Sequence, residues 1–206
     1  FPLALWSLGT KSFVVLGKSR LEREYAINQY LQSHGLTVPK VLYISPKQSL
    51  IFQEFVEGEN LAETIKKIVS SKEHLERELG LVKAAGKKIA LAHRLGGSLG
   101  DCKPENIIVT TEGRICFVDL EQASRDGNQP CDIAEFLYYS GHYVPPLATT
   151  GKIELVTRAF LEGYIEAGGK PETAKKAASP RYTKVFSLFT QPHVTLAISN
   201  LCRKVN

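Results

Sequence analysis

Two short apolar runs, Ile107–Thr110 and Arg114–Val118, flank the turn Thr111-Glu112-Gly113, and chemically capable side chains stand just outside both of them. β-prone runs around a glycine-bearing turn specify a two-stranded hairpin. Asn106 and Asp119 are equidistant from a turn centre at Glu112/Gly113, so they are expected side by side on adjacent strands. Asp101 stands five residues before Asn106, in the polar, proline-bearing run Asp101-Cys102-Lys103-Pro104-Glu105-Asn106. Two carboxylates, an amide and a lysine are thereby brought to one open end of a small sheet. Hard oxygen donors of this kind suit Mg2+, which takes one or two carboxylates and leaves its other positions to phosphate and water. A lysine among them supplies positive charge where a phosphoryl group is transferred. Any one of these pieces is common in a polar loop; all four at these spacings are not.

Around this centre the periodicity changes once. Up to residue 57 the chain reads as strands around one helix. A first hairpin is expected from Leu3–Leu8 and Ser12–Lys18 about Gly9-Thr10, then a helix from Arg20 to Ser33, with Ser19 as cap and Gly35 as stop. A second hairpin follows from Val41–Ile44 and Leu50–Phe55 about Ser45-Pro46-Lys47-Gln48. From Asn60, which can cap Leu61–Val69, the spacing is helical. Leu75, Leu79, Val82, Ala85, Ile89, Ala92 and Leu95 step by threes and fours until Gly96-Gly97 ends that helix. Beyond the central hairpin, helices are expected at Asp132–Ser140, Ile153–Ala167, Glu172–Ala178 and Tyr182–Cys202, the last interrupted near Pro192. The expected class is α+β, with a β-rich lobe over residues 1–57 and a helical lobe over residues 58–206.

Composition removes several alternatives. With 43% hydrophobic and 23% charged residues, this 206-residue chain can bury a core, which excludes a disordered chain, collagen and a simple coiled coil. No apolar run nears the ~18–20 residues of a membrane helix, and FPLALWSL lacks the basic leader of a signal peptide, so no membrane association is expected. Four cysteines without a C-x-x-C pair read as reduced thiols of a cytoplasmic protein. The chain contains no methionine, so its true N-terminus is expected upstream of Phe1. Residues 151–206 carry nine Lys/Arg against four Glu, which is the whole net charge of +5. Such a basic end can dock an acidic partner or RNA, or be a solvated helical face.

The run HRLGGSLGDCKPENIIV, followed by ICFVDLE, resembles the catalytic core of the protein-kinase-like superfamily, whose pattern is H-R-D-x-K-x-x-N, a hairpin, then D-F-G. Leu99-Gly100-Asp101 and Asp119-Leu120-Glu121 stand in the two motif positions, and His93, eight residues before Asp101, matches a histidine of compact relatives. The resemblance implies a bilobal kinase-like fold and ATP with Mg2+ as cofactors. It makes Asp101 the group that orients and deprotonates a hydroxyl, and Lys103 the charge facing the γ-phosphate. Asn106 and Asp119 become the metal-binding pair. Lys18 resembles the lysine on the α/β-phosphates, and Glu24 its ion-pair partner, with Glu22 as rival. Backbone groups of Glu54 and Val56 would hold adenine. Asp132 resembles the aspartate that braces the catalytic loop, or is a helix N-cap.

The departures narrow the group. No G-x-G-x-x-G run is present, so the phosphate-covering loop is expected upstream of residue 1. Gly100 replaces the arginine that binds an activation-loop phosphate. Twelve residues separate Asp119 from Asp132 and there is no A-P-E, so no long activation segment fits. The pattern resembles compact kinases: RIO-type kinases, the small kinase of the KEOPS tRNA-modification assembly, lipopolysaccharide kinases, and aminoglycoside or choline phosphotransferases. D-L-E resembles the last of these, whereas Lys103 resembles protein serine/threonine kinases. The function these features imply is transfer of phosphate from ATP to a hydroxyl, first of a protein serine or threonine, second of a small molecule. A nucleotide-binding ATPase or scaffold subunit of an RNA-related assembly is the reading from a different class.

Overall fold

The computed structural model describes residues 17–71, 73 and 75–206, with side chains from residue 21 onward. Helix α1 spans Gly17–Ser33 and turns Leu21, Ile27 and Leu31 into the core. Its end is closed by Leu36, whose N–H returns to the Leu31 carbonyl at 3.1 Å. The start differs from expectation. Gly17 and Lys18 are helical, not the end of a strand capped off at Ser19. The run Gly17-Lys18-Ser19-Arg20 holds no proline, and a single glycine at the very start of a helix costs only about 1 kcal/mol, so the helix can extend backwards. The rest of the expected first hairpin, residues 3–16, lies outside the described residues.

Strands β1 (Val41–Ser45) and β2 (Leu50–Gln53) form an antiparallel hairpin, its turn closed from the Gln48 N–H to the Ser45 carbonyl at 3.2 Å. The second strand stops short of the expected Phe55. Because β1 starts at Val41 opposite Gln53, only Lys40 remains beyond it, and the Glu54 N–H takes that carbonyl at 2.9 Å. A three-stranded antiparallel sheet follows in the order β3-β5-β6, from Gly58–Asn60, Ile107–Thr110 and Ile115–Phe117. Sequence patterning does not reveal β3, since Gly-Glu-Asn has no apolar alternation; its strand geometry comes from pairing with β5. A two-residue pair, β4 (Gly97–Ser98) with β7 (Ser124–Arg125), ties the end of a long helix to the segment after the hairpin.

The helices follow the periodicity closely. Asn60 caps α2 (Leu61–Ser70), its side-chain oxygen accepting from the Glu63 N–H at 3.2 Å. Then come α3 (Glu76–Arg94), α4 (Gln129–His142), α5 (Gly151–Glu166), α6 (Pro171–Ala177), α7 (Pro180–Phe186) and α8 (Pro192–Lys204). Proline in the first turn starts α4, α6, α7 and α8, where its missing N–H costs no helical bond. The expected last helix is therefore two. The core sits where α3, α4 and α5 meet. Phe136 stacks on Phe160 with ring centroids 4.3 Å apart, and both are fully buried with Tyr164 and Tyr138. Gly86 and Gly163 let α3 and α5 touch backbone to backbone: a Cβ at these positions would lie 2.2 Å from the Phe160 carbonyl oxygen and 2.0 Å from that of Lys83. Among the described residues, no helix is long and apolar enough to cross a membrane.

Candidate active site

The hairpin exists, but its register is offset by one residue from the expected one. Ile107 faces Phe117 and Ile108 faces Cys116, and the Val118 N–H donates to the Asn106 carbonyl at 2.9 Å. Asn106 therefore lies opposite Val118, and Asp119 is the next residue along, not the direct cross-strand neighbour. The reason is the turn. A three-residue loop, Thr111-Glu112-Gly113, with Gly113 left-handed at φ 76°, puts the centre on Glu112 itself. Asp119 is also left-handed, at φ 58° and ψ 60°, and leads directly into a short 3-10 turn, Leu120–Gln122. This conformation, which aspartate tolerates better than most residues, ends the strand at the point where the carboxylate leaves it. The Asp119 side chain is exposed.

The loop before the hairpin is held from below by carboxylates. Asp132 is fully buried, and its two oxygens accept from the Leu99 N–H at 2.7 Å, the Gly100 N–H at 2.9 Å and His93 Nε2 at 2.9 Å. A carboxylate cannot donate, so Nε2 carries the proton on that side of the ring. His93 Nδ1 lies 2.8 Å from the hydroxyl of Tyr164, whose pKa burial pushes up to about 12. Glu135, one turn further along α4 and also fully buried, accepts from the Cys102 N–H at 3.0 Å. Asn128 is the N-cap position of α4, so Asp132 is a brace and not a cap. Gly100 is required where it stands: φ is 81°, and a Cβ would come within 2.1 Å of the Gln122 carbonyl oxygen. Sequence reasoning missed Glu135. Its spacing of three from Asp132 on one helix was the available signal.

On this platform the four polar residues converge. Lys103 Nζ donates to Asp101 Oδ2 at 2.8 Å, both side chains being partly buried. Burial works against the Lys103 charge, but the Asp101 hydrogen bond and the charges of Asp101, Asp119 and Glu105 outweigh it and hold the pKa above the ordinary lysine value. Asn106, at the end of a 3-10 turn over Pro104–Asn106, donates from Nδ2 to the Asp101 carbonyl at 3.1 Å. Glu105 receives a short hydrogen bond from the Tyr143 hydroxyl, over whose ring Lys66 Nζ sits 5.2 Å from the centroid. Burial, then the Glu105 contact, pushes the Tyr143 pKa strongly up, so the phenol stays the donor.

Of the residues expected on the nucleotide side, the Lys18 side chain lies outside the described residues. Glu24 is on α1, accepting from Gln53 Nε2 at 3.3 Å, which ties that helix to the end of β2. Glu22, the rival, is exposed. Glu54 Oε1 accepts from the Lys40 N–H at 2.9 Å while its own N–H is taken by the Lys40 carbonyl, so its carbonyl is the backbone group not used in this exchange. Val56 is half-buried in the following segment.

Asn106 and Asp119 fit a magnesium–nucleotide group in kind. With Nδ2 committed, the Asn106 amide offers its oxygen, and Asp119 offers a carboxylate. Mg2+ takes few protein ligands and draws on phosphate and water for the rest.

Comparison with known proteins gives the family. The family model of the lipopolysaccharide kinase (Kdo/WaaP) family matches residues 9–131, more than half of the chain. The KEOPS complex subunit Bud32 of Pyrococcus abyssi is 29% identical over 158 residues, 75% of this chain and 67% of that protein. A probable serine/threonine-protein kinase BUD32 homolog of Archaeoglobus fulgidus is 29% identical over 141 residues, 68% of this chain and 64% of that protein. The chain thus spans about two thirds of the length of these curated relatives. The matched span runs past both ends of the segment from Lys18 to Asp119, and on that ground the chain belongs to the lipopolysaccharide kinase (Kdo/WaaP) family and is a protein-kinase-like phosphotransferase.

Proposed function

We propose that the chain transfers the γ-phosphoryl group of ATP to a hydroxyl, with Mg2+, and that a protein serine or threonine is the acceptor. The observation that carries this reading is the loop Leu99–Asn106, pinned through three backbone N–H groups to Asp132 and Glu135. Phosphoryl transfer depends on positioning and electrostatics more than on covalent chemistry, so a rigid loop presenting one carboxylate and one ammonium is the part the protein must build. Asp101 would orient the attacking hydroxyl and accept its proton through the oxygen not bonded to Lys103. Lys103, held charged, would leave that contact to face the transferring group. Asn106 and Asp119 would hold the cation, which neutralises charge on the phosphates when bound. Lys18 with Glu24 would hold the α/β-phosphates, and the backbone of Glu54 and Val56 the adenine. The lobe division at residue 57 and a cytoplasmic setting belong to the same proposal; four buried cysteines held as thiols suit a reducing compartment.

The acceptor choice rests on Lys103 and on the relative described as a probable serine/threonine-protein kinase. A sugar or other small-molecule hydroxyl is the second reading, favoured by the family description and by the twelve-residue interval between Asp119 and Asp132. The relative described as a complex subunit supports a protein partner. Labelled ATP with and without Mg2+, given with casein-like protein or with a sugar and choline panel, separates these. Asp119→Ala is expected to abolish Mg-ATP turnover while the chain stays folded. Asp101→Asn is expected to keep nucleotide binding and lose transfer. Unchanged turnover in Asp119→Ala would defeat the assignment.

A further inference from the structure

The basic end of the chain has no part in the site around Asp101, and its charge is of one sign. From Thr173 to Asn206 it carries Lys175, Lys176, Arg181, Lys184, Arg203 and Lys204 and no aspartate or glutamate. Cations without an internal counter-charge repel one another, and an acidic partner reverses the sign of that interaction. The run folds into α6, α7 and α8, and a cleft of about 280 Å3 opens between the last two. Thr183, Lys184 and Ser187 line one wall. Pro192, Leu196 and Arg203 line the other, four and seven residues apart along one face of α8. Among the described residues neither Lys184 nor Arg203 pairs with a carboxylate. Arg203 is fixed in place: its Nη2 donates to the Ala178 carbonyl at 3.1 Å, one of the five N–H groups a guanidinium offers.

Apolar surface adjoins these charges. Leu196 lines the cleft yet is 57% exposed, and Leu188, next to Ser187, is 71% exposed. Leu147 is 97% exposed and left-handed at φ 64°, a conformation that side chains of its size rarely adopt. It is held there from the edge of the cleft. Its N–H donates to Gln191 Oε1 at 3.3 Å, and Gln191 Nε2 donates to the Val144 carbonyl at 2.9 Å, so the residue before Pro192 fixes that loop. A strained leucine that packs on almost nothing in its own chain points to a contact outside it.

These features together decide the kind of partner. Single-stranded nucleic acid is held on exposed aromatic platforms, but the rings beside this cleft, Tyr182 and Phe186, are buried. Exposed leucines gain nothing from a phosphate backbone and do gain from apolar side chains. One turn of helix, about 10 Å across and 5.4 Å along its axis, fills about 420 Å3, more than the cleft holds, so the occupant is extended. Leu196 and Arg203, seven residues apart on α8, are separated by about 10 Å, the reach of about three extended residues. We propose that the cleft between α7 and α8 docks an extended acidic segment of a partner protein. An apolar side chain of that segment lies against Leu196. A carboxylate three positions along meets Arg203, with Lys184 adding charge from the facing wall. Leu147 extends the apolar contact past the end of the cleft. The surface uses none of the residues of the phosphotransferase reading and stands apart from it.

The test is fluorescence anisotropy of a labelled peptide of three Leu-Ser-Glu-Glu repeats with the full chain, beside an oligouridylate of the same charge. The peptide is expected to bind, to weaken as salt rises, and to bind equally to Asp119→Ala, which separates this surface from the nucleotide site. The double Lys184→Ala/Arg203→Ala chain is expected to weaken it about tenfold, the sum of two partly exposed charge contacts. Leu196→Ser, an exposed position that the fold does not need, is expected to weaken it about fivefold. Leu147→Asn, which places there a residue that tolerates the left-handed conformation, is expected to raise Tm and still weaken the peptide. A Tm gain with unchanged affinity would take Leu147 out of the site. No binding at millimolar peptide, or the same affinity in the double variant, would overturn the proposal. So would equal binding of a Ser-Ser-Glu-Glu peptide, since the apolar anchor would then count for nothing. Tighter binding of the oligouridylate than of the peptide would assign the basic face to nucleic acid instead.

Discussion

Replacing Asp132 by Asn tests the platform on which the catalytic loop sits. The side chain keeps its shape but exchanges one acceptor oxygen for an NH2 donor. Three donors converge on the carboxylate, from Leu99, Gly100 and His93. If the amide oxygen takes the place of Oδ2, it keeps Leu99 and His93 and turns its NH2 onto the Gly100 N–H. If it takes the place of Oδ1, it keeps Gly100 and leaves Leu99 without an acceptor. Either way one fully buried backbone N–H is orphaned, at about 1–3 kcal/mol, and the remaining bonds lose their charge assistance, at about 1 kcal/mol each. Removal of a buried charge returns part of this. The expected net loss is about 2–4 kcal/mol, a large share of the ~5–15 kcal/mol of a typical domain. For a chain of this size that lowers Tm by about 10 °C. Urea denaturation should show a lower midpoint at unchanged slope. A double-mutant cycle with His93→Ala should show coupling above about 0.5 kcal/mol, because the two side chains share a hydrogen bond. An Asp132→Asn chain as stable as the parent to within about 0.5 kcal/mol would refute the reasoning, since the orphaned donor alone exceeds that figure.

Gly163→Ala places a methyl group 2.0 Å from the Lys83 carbonyl oxygen, so α3 and α5 must separate; a loss of about 2 kcal/mol or more is expected in the same denaturation assay. The Lys103–Asp101 pair gives a pH window. The Lys103 pKa is raised above 10.5, so the pair's contribution is complete below the unfolded value and fades only as pH rises through the folded one. Stability measured against Lys103→Met should therefore show a difference that is flat from neutral pH to about pH 10 and closes above it. Cys116 and Cys202 are buried, with pKa values raised to about 11 and about 12. At pH 8 a thiol of pKa about 11 is only about one part in a thousand thiolate, some two hundredfold less than an ordinary one. Thiol reagents should label the folded chain slowly and all four cysteines rapidly in urea; fast labelling of Cys116 in the native state would contradict its placement.

Local rules read directly from the chain hold where the cause is local. The N-cap at Asn60, the run of three-and-four spacings in α3, the turn Ser45–Gln48 and the hairpin after Asn106 depend on residues within a few positions of one another, and each is found. Pro192 begins the last helix for a reason just as local, while the helix before it has already stopped at Phe186. Errors arise where the deciding partner is distant or the geometry finer than a spacing can express. Strand β3 has no pattern of its own and exists because β5 lies beside it. The hairpin register missed by one because a left-handed Gly113 moved the turn centre, and in a strand one residue is a change of face.

The candidate site divides the same way. Residue types and spacing by themselves determine that Asp101, Lys103, Asn106 and Asp119 are available at one end of a small sheet, because a hairpin brings its ends together whatever surrounds it. They also leave Asp132 open between a helix cap and a brace. Only the tertiary structure decides that question, since the backbone N–H groups of Leu99, Gly100 and Cys102 are more than thirty residues from the carboxylates that receive them. It also adds Glu135, a second buried carboxylate of the same helix that receives the Cys102 N–H. The physical reason is one and the same. A buried charge is tolerated only where donors converge on it, and convergence is a property of packed elements, not of sequence intervals.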